Sequence, residues 1–381
     1  MPPHPMLNVL ALPVLLMPGA AHAPRWLDEA AQRVDMYGRL DGHLAFSEQD
    51  IQFANNSSRV GVMVEQPVRG GLTVLGQGEW RMNLGLGDTS YNISENPDTG
   101  LATFAATTNQ AFSTRLGFVG LRFGKFGTLT FGKQWGVYYD VTQWTDSYVV
   151  FGATGSSTFN AGTDGGQTGE GRANDAVVYR AALGPLRVGV QAQFMSERSA
   201  KLDGFGGSLV YDTGFGLRVG VAYSHAVLDF SSNIAGYDGG DAQALSGGIV
   251  FDDAGWKIAL LGTWTHDHEL VATPGATVMF DTRGSELFVS RRIEDLVMLT
   301  AGFDWAIPQD LDAALVNPDY GTRDFLAGVR WLLDPRASSF VYIEARTGLS
   351  RDAIGERAEE LVMLGIRFNY SLRKSLGLDP M

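Results

Sequence analysis

From Phe112 to Phe151 the chain alternates apolar with small or polar residues in two runs that flank the tight turn Gly124-Lys125-Phe126-Gly127. The second run passes into a long segment rich in Tyr, Trp and Asp, with no helical period. Period-two alternation marks a strand that shows one face to an apolar environment and the other to a polar one. The pattern recurs along the chain. Sixteen strands are predicted, approximately at 35–46, 57–68, 72–83, 112–123, 127–135, 175–183, 186–196, 204–212, 215–227, 241–252, 255–266, 278–291, 296–306, 323–333, 338–348 and 359–370. Most match the roughly 9–11 residues with which a tilted strand crosses a hydrocarbon core. The alternation is cleanest in the second, seventh, thirteenth and last; in the seventh, Leu186, Val188, Val190, Ala192 and Phe194 alternate with Arg187, Gly189, Gln191 and Gln193.

The connections alternate too. Short turns follow the even strands: Arg69-Gly70-Gly71, Lys125-Phe126, Gly184-Pro185, Thr213-Gly214, Asp253-Ala254, Ile293-Glu294-Asp295 and Asp334-Pro335-Arg336. Glycine supplies positive φ, and Pro and Asp favour turns. The longer connections 84–111, 136–174 and 307–322 follow odd strands. Tight turns on one side and long loops on the other are the asymmetry of a barrel inserted from the periplasm. A bilayer forbids an open sheet edge, which requires closure. The fold class is therefore all-β, a transmembrane antiparallel 16-stranded β-barrel. A soluble solenoid or sandwich would show a fixed repeat or fewer strands, and no repeat is visible.

Composition agrees. The 48 glycines and the 11% aromatic content suit twisted strands, tight turns and interfacial rings. A mean hydropathy of −0.03 and the lack of a long apolar window in the mature region leave no transmembrane helix. The absence of cysteine permits an oxidising compartment without disulfides. A net charge of −13 opposes nucleic-acid binding and suits a conduit that prefers cations. Residues 1–23 carry an apolar run, Leu7 to Met17, and end in Ala21-His22-Ala23, the pattern of a cleaved signal peptide. Residues 24–34 are expected to form a short periplasmic segment with helical spacing, 35–370 the barrel, and 371–381 a polar C-terminal tail.

The ordered motifs Tyr37-Gly38-Arg39, Arg59-Val60-Gly61, Gly76-Gln77-Gly78-Glu79-Trp80 and Thr114 to Leu121 lead into Phe131-Gly132-Lys133-Gln134-Trp135-Gly136-Val137-Tyr138-Tyr139-Asp140 and Trp144-Thr145-Asp146. Together they resemble the Gram-negative general diffusion porins, trimeric sixteen-stranded barrels of the outer membrane, over about residues 35–370. The resemblance implies a third external loop folded inward to narrow the pore, with loop acids facing a basic wall. It assigns Asp146 as the first loop acid, Arg39, Arg59, Arg115 and Arg172 as basic wall residues, and Glu79 as an acid near the same ring. Arg81 is an additional inward cation. Strand parity independently turns Arg59, Arg115 and Arg180 inward, with Val60, Leu116 and Tyr179 toward lipid. Two departures stand out. Where the family has a second acid in a Pro-Glu-Phe-Gly segment, this chain has Val149-Val150-Phe151-Gly152, so that Asp140, Asp164 or Glu170 takes the place of that charge or the constriction is less acidic. The family chain usually stops at an aromatic, whereas Phe368 and Tyr370 here precede eleven more residues.

The resemblance implies passive diffusion of small hydrophilic solutes and ions through a homotrimer among outer-membrane lipid and lipopolysaccharide, and the net charge of −13 adds a weak cation preference. The alternative is a channel selective for a sugar, phosphate or small organic ion; a phosphate channel would favour Lys in its lumen, and Arg dominates here. An enzyme is not expected, because none of the six histidines lies in a nucleophile motif. No cofactor is expected. His266-Asp267-His268, placed in the sixth loop, has metal-ligand chemistry but reads as solvated polar residues. Trp80, Trp256, Trp264, Trp305 and Trp331 read as interfacial girdle residues.

Overall fold

In a computed structural model, the described residues are 32–48, 50–55, 58–84, 90–92, 105–107, 111–152, 154–158, 170–194, 203–227, 235, 241–273, 276–309, 311 and 314–376. Sixteen antiparallel strands form the wall. They are β1 (Gln32–Phe46), β2 (Arg59–Val68), β3 (Leu72–Met82), β4 (Phe112–Phe123), β5 (Thr128–Trp135), β6 (Arg172–Leu183), β7 (Leu186–Gln193) and β8 (Gly204–Asp212). The second half comprises β9 (Leu217–Val227), β10 (Asp241–Asp253), β11 (Trp256–Thr273), β12 (Ala276–Ile293), β13 (Val297–Gln309), β14 (Thr322–Leu332), β15 (Phe340–Gly348) and β16 (Leu361–Leu376). Each pairs with its neighbours in sequence, and β1 pairs with β16 from Gln32↔Leu376 to Phe46↔Val362. The barrel is closed, so the wall has no free edge to expose backbone polar groups to lipid.

Alternation decides what each face meets. On β16, Val362, Leu364, Ile366 and Phe368 are exposed outward, while Leu361, Met363 and Arg367 are buried inward. Trp256 and Trp331 lie outward near the short-turn rim; Trp264 and Trp305 lie outward toward the other. Eight residues separate Trp256 from Trp264. At about 3.3 Å per residue and a tilt of about 40°, that is about 20 Å of height, close to the apolar band of an outer-membrane barrel.

Every short turn contains a residue with positive φ. Glycine fills this role at Gly70, Gly184 and Gly214, but Ala254, Glu294 and Ala337 adopt it at φ 51°, 53° and 54°. In the last turn the Asp334 carboxylate accepts the amides of Arg336, Ser338 and Ser339, which holds the bend closed.

Several boundaries differ from expectation. β1 begins at Gln32, and β16 runs to Leu376, so residues 371–376 are paired strand rather than tail. Their partners are residues 32–37, which extend the first strand across the same rim. Residues 1–31, including the leader and most of the helical segment, lie outside the described residues. The sixth external connection is a long hairpin, since β11 and β12 continue pairing to Thr273↔Ala276. His266-Asp267-His268 therefore sits in a strand, at a bulge, and His268 is fully buried rather than solvated.

A second bulge changes a sequence-based orientation. Glu79 pairs with Leu116 but Trp80 with Thr114, leaving Arg115 as the extra residue on β4. Both Arg115 and Leu116 are buried, and Leu116 shares the inner face with Glu79. Leu116 is not lipid-facing. A classic bulge turns two successive side chains to the same side, which a simple period of two does not represent.

Candidate functional site

After Trp135 the chain leaves the wall, makes one helical turn, α1 (Tyr139–Thr142), and runs beside inner-face residues of many strands. Its apolar side chains Tyr138, Val141, Trp144, Tyr148, Val149, Val150 and Phe151 are buried against inward residues including Val210, Ala222, Leu261, Phe288, Leu326, Phe340 and Met363. Wall glycines give this segment its space. A Cβ on Gly189 or Gly206 would stand 3.0 Å from Val137, and one on Gly220 would stand 2.8 Å from the Trp144 ring. Gly284 leaves room for the Gly155 carbonyl, and Gly302 for the Tyr148 hydroxyl. Absence of a side chain is what lets two backbones approach this closely.

Wall carboxylates then fix the segment. Glu344 on β15 accepts the amides of Val149 (2.8 Å), Val150 (2.6 Å) and Phe151 (3.2 Å), and Arg330 lies 3.8 Å away. Glu286 on β12 accepts the Ser156 amide at 2.6 Å and the Thr145 hydroxyl. Thr154 donates to Asp304 at 2.8 Å, and Arg367 donates to the Val149 carbonyl at 3.1 Å. Glu344 is buried, and an acceptor with three N–H donors is the arrangement that makes a buried charge tolerable. Among the described residues the contacts of the segment fall on the wall from β6 round to β16.

The arginines occupy the remaining wall. Arg39, Arg59 and Arg81 stand opposite one another in register on β1, β2 and β3. Like charges directly opposed across strands are destabilising, so the row has a stability cost that a central acid reduces. That acid is Glu79, 2.9 Å from Arg115 and 3.8 Å from Arg59, and it also accepts the Tyr37 hydroxyl at 2.9 Å. Arg39 donates to Asn369 at 3.0 Å, and the Arg172 guanidinium sits 5.7 Å from the centre of the Trp135 ring.

A closed barrel with a long inner segment and a charged inner wall matches known proteins over most of its length. The family model for Gram-negative porins matches residues 9–375. The chain belongs to the Gram-negative porin family. It is 32% identical to outer membrane porin N of Escherichia coli over 84% of this chain and 83% of the relative. It is 30% identical to outer membrane porin C of Enterobacter cloacae over 70% and 72%. Among solved structures, a Salmonella typhi OmpF complex with daunomycin superposes with a TM-score of 0.68 at 18% identity, covering 88% of this chain and 97% of that one. An anion-selective porin from Comamonas acidovorans gives 0.62 at 15% identity, covering 89% and 100%. The chain is thus a multi-pass channel protein of the outer membrane, and not an enzyme.

Within this porin the predicted residues divide into groups. Glu79 contacts both Arg59 and Arg115, with Arg39 and Arg81 alongside. Asp140 is committed elsewhere: Arg180 holds it at 3.0 Å and Ser208 donates to it at 2.8 Å, fastening the start of the inner segment to β6 and β8. Asp146 accepts the Tyr139 hydroxyl at 2.6 Å. Burial pushes the Asp146 carboxyl up from the usual carboxylate range, against the pull of Tyr139, Lys257, Arg39 and Arg367. Glu170 is buried against His268 at 3.1 Å. At Val150 the side chain is buried, and the carboxylate beside it comes from the wall, since Glu344 lies 2.6 Å from the Val150 amide. Glu286, Asp304, Arg330, Glu344 and Arg367 were not singled out from sequence. Their signal was present: each is a charge flanked by apolar or small outward residues, as Glu344 is between Ile343 and Ala345.

Proposed function

We propose that this porin conducts small hydrophilic solutes and ions passively, through a lumen narrowed by the segment from Gly136 to Thr158, with a weak preference for cations. The observation that carries the reading is the division of the inner wall. The segment is fastened to β6 through β16, and the arginine row lies on β1 to β3. The open path then runs between the segment and the arginines, with Asp146 on one side and Arg39, Arg59, Arg81, Arg115 and Arg172 on the other. Opposed charges at a narrow, partly low-dielectric aperture make a transverse field that orients polar solutes and penalises apolar ones.

Selectivity is weak because several lumen charges are locally balanced: Arg367 by Asp41, Arg180 by Asp140, Arg330 by Glu344 and Arg346 by Asp324. The net −13 of the chain then favours cations at the pore mouths. Three copies are inferred to assemble through the apolar outer faces of β1 and β16, where Leu40, Leu44, Leu364, Ile366 and Phe368 are exposed; the rest of the outer face meets lipid and lipopolysaccharide. Reversal potentials in a salt gradient across a planar bilayer test the selectivity. A modest cation preference with no saturable block by solutes is expected, and anion preference or saturable block would refute it.

A further inference from the structure

The bulge on β11 gathers metal-binding chemistry outside the pore. Thr265 pairs with Thr282 and Glu269 with Phe280, so His266, Asp267 and His268 together stand opposite Asp281. His268 turns inward, where Glu170 and Glu269 hold it at 3.1 and 3.3 Å. His266 remains half-exposed, with Nδ1 at 2.9 and 3.0 Å from the two carboxylate oxygens of Asp281. The Asp267 amide donates to the same carboxylate at 3.0 Å, and Asp267 Oδ2 lies 3.8 Å from His266 Nε2. One ligand atom from each of His266, Asp267 and Asp281 lies within 4.8 Å of the others.

We propose that His266, Asp267 and Asp281 form a divalent transition-metal site of the zinc class on the outer rim of this porin. Two carboxylates and a neutral imidazole carry a charge of −2, which one divalent ion neutralises. Their in-register neighbours on β10 and β13 are the neutral amides Gln243 and Gln309. An imidazole with oxygen donors suits zinc, nickel or copper and disfavours calcium and magnesium, which take oxygen alone. Bonds of about 2.0–2.2 Å require the His266 ring and the two carboxylates to draw in around one ion from donor atoms that lie within 4.8 Å of one another. Water completes the coordination from outside. The site lies two residues beyond Trp264, which is parallel to His266 at 6.1 Å between ring centres, and so sits above the apolar band.

Calorimetric titration of untagged, detergent-solubilised porin with zinc chloride tests the site. One ion per chain is expected, with affinity weakened at least about tenfold by His266→Ala, His266→Gln or Asp281→Asn. His225→Ala removes a rim histidine paired 3.2 Å from the single carboxylate of Asp241, and leaves binding unchanged. Bilayer conductance and mobility on unboiled gels report that each variant is folded. Absence of zinc binding to the unmodified porin overturns the assignment. Retention of its affinity by a folded His266 or Asp281 variant, or loss of binding in His225→Ala, does so equally.

Discussion

Glu344→Ala removes the acceptor that gathers three successive amides, those of Val149, Val150 and Phe151, at the point where the inner segment meets β15. A typical hydrogen bond contributes about 1 kcal/mol net, because water competes for both partners. Three such bonds amount to about 3 kcal/mol, before counting the Arg330 guanidinium left 3.8 Å from an absent charge. At about 1.4 kcal/mol per tenfold, the balance between attached and detached segment shifts by about two orders of magnitude. Anchors at Glu286, Asp304 and Asp140 remain, so the segment loosens at this end only. The wall ladder is untouched, and the barrel keeps its melting behaviour. Single-channel recording should show raised conductance and frequent brief current fluctuations, with Glu344→Gln intermediate because its amide oxygen still accepts without charge. Wild-type conductance and noise in Glu344→Ala would refute the reasoning.

Other outcomes follow from the same geometry. Asp146→Asn lowers the cation-to-anion permeability ratio; burial raises the wild-type carboxyl, so the wild-type ratio falls on acidification at a higher pH than an ordinary aspartate would produce, and the variant lacks that component. A pH-independent wild-type ratio between 7 and 4 would contradict this. Gly284→Val places a side chain where the Gly155 carbonyl passes, displacing residues 154–158 and breaking the Thr263–Gly155 and Ser156–Glu286 hydrogen bonds. Altered conductance with an unchanged oligomer band is the expected result, and unchanged conductance counts against the close approach. Leu364→Arg puts a charge on the outer face opposite Leu44, at a cost of about 2–4 kcal/mol near the membrane midplane. The heat-sensitive oligomer band on unboiled gels should disappear, and its survival would move the subunit contact away from β16.

Strand alternation is local information, because successive side chains point to opposite faces whatever the rest of the chain does. That made the sixteen wall strands, the seven short turns and the inward direction of Arg59 and Arg180 legible in sequence. The same rule failed at Arg115–Leu116, where one extra residue resets the parity without any local mark. It also left His266-Asp267-His268 in a supposed loop, since the pairing that makes it a strand bulge lies on β12.

What the sequence by itself determined was the barrel: length, period and turn chemistry require closure, and closure in lipid needs no further specification. Only the tertiary structure decided how the lumen is furnished. Glu344 is 194 residues from Val150, and Glu286 is 130 from Ser156. These groups meet because closure brings distant inner faces around one segment, and wall glycines leave the space for it to lie there. Val150 shows the difference: sequence marked a missing acid, and the fold supplies a carboxylate beside its amide from the opposite end of the chain.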